Sequence, residues 1–197
     1  MSFLKCLFPL FILFPSCVSV QQMHSATVLD EGESQTMISA SVLDSSYFDY
    51  SDYPDNKLTT VLQISQRYGF GDYLEAGWYA YLPMINEAKY AVAPNLLGGD
   101  FKVQVVDKQN FALAFDFGLT LYSITSMLPV DYGIIASSNE MYGSVYIHLH
   151  GEKKPIFTTT MGYQGKHIVY EIRLPFIAGE TGKYSTLYPI VSFGIKR

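Results

Sequence analysis

The chain has 197 residues, enough for one domain, with charged residues at 16%, hydrophobic residues at 49% and a formal net charge of −5. Soluble domains carry about a quarter charged residues, so this chain is short of the Lys and Glu that would wet an outer surface. Its Lys and Arg form no cluster, which excludes nucleic acid as a partner, because phosphate binding needs concentrated positive charge.

The first element in chain order is an export signal over 1–16. Lys5 precedes the apolar stretch 7–14, which is too short to cross a bilayer and has signal-peptide proportions. It runs into Phe14-Pro15-Ser16-Cys17, which resembles the bacterial lipoprotein signal. That likeness implies Cys17 as the site of lipid attachment, with Phe14 where Leu is usual and Pro15 as a departure. The alternative is an ordinary signal cut after Ala26. Cys6 falls inside the removed segment, so the mature chain keeps one Cys and forms no internal disulfide. It also loses Lys5, leaving 12 basic against 18 acidic residues. Val18, next after Cys17, is not an acidic retention signal and leaves the outer membrane open as destination. Residues 17–34 are polar and mixed, and read as a lipidated tether; 35–197 is the folded domain.

Beyond the tether, alternation of apolar and polar residues predicts strands at 35–44, 57–67, 72–83, 98–107, 109–122, 129–137, 140–150, 155–164, 167–176 and 185–196. Residues 111–121 carry the pattern most clearly. Phe111, Leu113, Phe115, Phe117, Leu119 and Leu121 share one face, and Ala112, Ala114, Asp116, Gly118 and Thr120 the other. The same parity sets Leu74, Ala76, Trp78, Ala80 and Leu82 against Tyr73, Glu75, Gly77, Tyr79 and Tyr81. Ile168, Tyr170, Ile172, Leu174 and Phe176 oppose Val169, Glu171, Arg173 and Pro175. After the signal no run of about eighteen apolar residues follows, so no transmembrane helix is expected. High apolarity diluted residue by residue is the pattern of a membrane barrel.

The polar face decides how the alternation is read. It holds Gly, Ser, Thr, Gln and Tyr with charges of both signs, Arg67, Glu75, Lys102, Asp116, Glu171, Arg173 and Lys196. A solvated face would carry many more charges. Small residues and opposed charges suit the inside of a narrow barrel, with Glu75, Asp116 and Glu171 meeting Arg67, Lys102 and Arg173. Short connections at 69–72, 107–110, 138–139 and 164–166 alternate with longer ones at 45–56, 84–97, 122–129 and 177–185, which favours ten strands, with eight next. The inverted alternative is a tethered, lipocalin-like soluble barrel, with Phe111, Phe115, Phe117 and Trp78 lining an apolar cavity for a ligand.

One stretch, Arg67-Tyr68-Gly69-Phe70-Gly71-Asp72-Tyr73-Leu74-Glu75-Ala76-Gly77, resembles a hairpin of small bacterial outer-membrane β-barrel (lipo)proteins. Phe101-Lys102-Val103-Gln104 with Phe111-Ala112-Leu113-Ala114 resembles the next hairpin of the same family. The resemblance implies an all-β, antiparallel up-and-down transmembrane barrel, exported to the bacterial outer membrane, with the lipid bilayer and the barrel insertion machinery as partners. The chain departs from that family at its end, Phe193-Gly194-Ile195-Lys196-Arg197, where a terminal aromatic is common.

Catalytic and metal-binding readings are weaker. His148 and His150 share a strand face with Glu152 next in register, but no third strong ligand is in view, so a metal site is not expected. Outer-membrane acyl-chain enzymes of the deacylase kind carry His-x-Ser on one strand. Here the sequence is His148-Leu149-His150, with no Ser. The aromatic, acidic run 47–56 reads as a turn whose Tyr residues join an interfacial girdle, with a binding loop as the alternative. Gly98-Gly99 reads as a turn. No cofactor motif is present. The expectation is therefore a barrel with a side-chain-filled lumen and a structural or envelope role, not an enzyme and not a bulk transporter.

Overall fold

The structure, a computed structural model, describes residues 23–44, 58–84, 96–121, 130–149, 155–178, 184–186 and 189–197. These contain no helix. They form β1 (Ser34–Asp44), β2 (Leu58–Gly69), β3 (Leu74–Met84), β4 (Leu96–Lys108), β5 (Phe111–Leu121), β6 (Val130–Ser138), β7 (Met141–Leu149), β8 (Ile156–Gln164), β9 (Ile168–Ala178), β10 (Tyr184–Thr186) and β11 (Ile190–Lys196).

From β1 to β9 each strand pairs antiparallel with its neighbour in sequence. β10 and β11 both pair with β9, at Phe176–Ala178 and at Ile168–Arg173, so together they are one interrupted strand. The sequence predicts a single strand over 185–196, which the structure divides in two. Pro189, which has no N–H to give a ladder, stands in the break. β11 then pairs with β1, Met37 opposite Lys196 and Val42 opposite Val191. Thr36 and Arg197 extend this seam by exchanging two backbone hydrogen bonds, of 3.0 and 2.9 Å. The result is a closed, up-and-down antiparallel barrel of ten strands, in which, among the described residues, the short β10 is paired on its β9 side only.

Short turns gather at one end. Gly71 takes φ +137°, a conformation only glycine holds without strain, between β2 and β3; Asn139 takes φ 53° between β6 and β7. Because of the first turn, β3 begins at Leu74 and Tyr73 is exposed in the turn instead of sharing the inner face with Glu75. A bulge at Gln104/Val106 adds Val105 to β4. Gly98 and Gly99 lie inside β4, not in a turn. The longer connections, including the Tyr-rich run 47–56, lie outside the described residues, as do Cys17 and the rest of the signal and its junction.

The two faces are chemically opposite. The outer wall is apolar on every long strand: Ile38, Ile64, Trp78, Phe101, Phe115, Ile134, Val145, Met161, Ile172 and Phe193 are all exposed. Aromatics link strands along this wall, Phe117 against Tyr132 at 5.3 Å and Tyr170 against Phe193 at 5.1 Å between ring centroids. Phe111, Phe115, Phe117 and Trp78 are 44%, 50%, 36% and 40% exposed on this outer wall. The apolar-cavity alternative is thereby overturned, since its lining residues point away from the lumen.

The lumen side is packed by another device. Tyr79, Tyr142 and Tyr146 stand directly opposite Gly98, Gly162 and Gly133 on neighbouring strands. A Cβ at any of these glycines would strike the facing Tyr ring. Each ring thus lies in the space its glycine leaves open, and this is why Gly98 belongs in a strand.

Candidate functional site in the barrel lumen

Lumen chemistry begins with β2 and β3. Register sets Arg67 opposite Gly77 and Gly69 opposite Glu75. Arg67 Nε donates to Glu75 Oε1, and its Nη1 and Nη2 reach Asp100 at 3.0 and 2.7 Å, a two-pronged ion pair. The absence of a side chain on Gly77 makes room: a Cβ there would sit 3.0 Å from Arg67 Nη1. Lys102, one strand on, reaches Glu75 at 3.1 Å. On the far wall Arg173 meets Glu171 at 3.0 Å, and Tyr142 donates to the other Glu171 oxygen at 2.9 Å. All of these side chains are buried.

Asp116 differs from its expected pairing. It stands opposite Lys102 in the ladder, yet accepts from Tyr146 Oη at 3.0 Å and has His24 Nε2 at 3.7 Å. Asp100, Asp131 and His24 were not singled out in the sequence. Asp100 lies within the strand expected over 98–107, and its parity with Lys102 and Gln104 is the signal that places it on the lumen face.

A second cluster lies toward the end with the longer connections. His148 Nδ1 is 2.6 Å from Asp131 Oδ1 and its Nε2 is 2.9 Å from Thr158 Oγ1. Tyr146 stacks near the imidazole, centroids 6.1 Å apart. Three adjacent strands contribute: Asp131 is paired with His148 across β6 and β7, and Thr158 with Tyr146 across β7 and β8. A carboxylate, an imidazole and a hydroxyl in this order can orient a base toward a nucleophile. Asp131, His148 and Thr158 each show 0% exposure, however, and the arrangement holds three strands together from inside. His150 and Glu152 lie outside the described residues. Among the described residues no three His, Cys, Asp or Glu side chains are placed to hold a metal ion.

The tether expected over 17–34 is corrected in its described part. Met23, His24, Ser25 and Ala26 are buried in the lumen. Their main chain is held by wall side chains: Met23 N–H by Glu171 at 3.1 Å, Ser25 N–H by Gln164 at 2.8 Å, Val28 N–H by Gln104 at 2.9 Å and Leu29 N–H by Glu75 at 2.9 Å. Lys102 Nζ donates to the carbonyls of Ser25 and Thr27, both at 2.9 Å. Carboxylates, amides and Lys102 of the bore take the main-chain groups of this segment, whereas composition alone reads the same residues as a tether.

No family model matches the chain, and no curated protein matches it. Two solved structures of Ail, the attachment invasion locus protein of Yersinia pestis, are similar to it. One, in complex with the heparin analogue sucrose octasulfate, is 11% identical with a TM-score of 0.28; the other is 10% identical with a TM-score of 0.26. Each likeness covers 85% of this chain and 99% of that chain. At such scores the likeness settles neither fold nor function, and the strand pairings above define the architecture.

Proposed function

We propose that this chain is an exported β-barrel lipoprotein of the bacterial outer membrane, with a lumen closed by side chains and a structural or surface role in the envelope. The observation that supports it best is the division of the wall. Large apolar side chains are exposed on the outer face of every long strand, while the ion pairs are turned inward. A monomer in water rarely exposes a contiguous apolar patch beyond a few hundred Å², whereas a bilayer demands one all round. The closed ladder also satisfies the backbone, which hydrocarbon requires.

The N-terminal signal and Cys17 support export and lipid anchoring. Insertion by the barrel machinery follows from the same reading. A lumen occupied by Arg67, Lys102, Arg173, Tyr81 and residues 23–26 speaks against bulk transport. Full burial of Thr158 speaks against a catalytic role for the relay with His148.

The test is membrane fractionation and gel mobility of the Cys17→Ser form. It is expected to stay in washed membranes and to migrate faster unheated than boiled. Recovery in the soluble fraction with no mobility shift overturns the reading.

A further inference from the structure

We propose that the short-turn half of the lumen is a binding site for a bent peptide segment, and that residues 23–29 are its built-in, separable occupant. In the short-turn half β11 is paired with both β9 and β1, so the wall there offers no strand edge and an inserted segment finds partners for its backbone only in side chains. The lumen supplies them from both sides. Glu171 and Gln164, on β9 and β8, take the N–H groups of Met23 and Ser25. Glu75 and Gln104, on β3 and β4, take those of Leu29 and Val28. Lys102 takes the two carbonyls between. Among the described residues, the backbone-to-backbone hydrogen bonds of the N-terminal segment begin only at Asp30 and Gly32, on the rim. The segment therefore sits in the barrel as a ligand sits in a site.

The wall is also shaped for it. A Cβ on Gly69 would overlap the main-chain oxygens of Leu29 and Asp30, so only glycine there lets the segment pass over the rim. A Cβ on Gly194 would stand 3.2 Å from Met23 Cε, so a second glycine makes the seat of that side chain. Ala26 is 0% exposed, so a much larger side chain there would have to displace its buried surroundings. The ligand class is thus a peptide of about seven residues that bends at Ala26 and takes φ 33° at Met23, read through its main chain, with an apolar side chain at one end and a small one three residues on.

The experiment uses the full chain refolded in detergent, with a specific protease site inserted after Glu31 in the exposed rim turn. After cutting, the N-terminal fragment is expected to stay with the heat-modifiable barrel. Excess labelled synthetic peptide 22–30 is expected to replace it. The same peptide carrying A26W is expected to compete at least about tenfold more weakly, and Gln164→Ala in the barrel to speed release by about tenfold. Gln104→Ala gives a second reading if Gln164→Ala does not refold. Four results overturn the proposal: loss of the fragment at the first separation, no exchange at any peptide excess, equal competition by the A26W peptide, or unfolding of the cut barrel. None of them depends on which membrane the barrel occupies, so this test fails independently of the outer-membrane reading.

Discussion

At the scale of single residues the lumen is organised by what glycine leaves out. Tyr146 fills the space over Gly133, and a methyl group there would meet its ring. Gly133→Ala is therefore expected to cost about 1–3 kcal/mol by overpacking, read as a lower temperature at which the unheated gel form is lost. Gly143→Ala is the control. Its Cβ would meet Thr160 O at an ordinary 3.4 Å, and the transition is expected to stay where it is. Arg67, Glu75 and Lys102 could be put on one face from parity alone. Glu75 meets both cations, as expected, but their further partners could not be read: register hands Asp100 to Arg67, and the inserted segment draws Lys102 onto its own carbonyls.

Among the elements, strand alternation carries the consequences for solvent. Ile172 is exposed near the middle of β9, between inward-facing Glu171 and Arg173. In a bilayer Ile172→Arg is expected to destabilise the barrel by about 2–4 kcal/mol, the range for a cation at the midplane of a membrane barrel. Urea titration of folding into lipid vesicles measures it. A change near zero would mean that this face meets water. The strand positions themselves were legible because each half-polar segment keeps its period of two over most of its length. Exceptions have local causes. Tyr73 fell out of phase because Gly71 turns the chain before β3 begins, and the last strand splits where Pro189 lacks a donor.

Taken as a whole molecule, the barrel turns its charged side chains inward and its large apolar side chains outward. In planar bilayers the full chain is accordingly expected to give no steady porin-sized conductance, since Arg173, Tyr81 and Tyr146 occupy the lumen beyond the inserted segment. A stable large conductance would count against a closed lumen.

The sequence by itself determined the class of structure: alternation yields strands, ten polar-and-apolar segments with short and long connections yield ten antiparallel neighbours, and scarce charge assigns the apolar face outward. These are local properties, repeated down the chain, and each can be read without knowing where the others go. Only the tertiary structure decided the rest. Closure of β11 on β1 joins residues more than a hundred positions apart. The Asp131–His148–Thr158 relay exists only because three strands lie in one register. Residues 23–29 have no periodicity to betray them, and their place depends on groups from five strands converging on a bore that forms only when the barrel shuts.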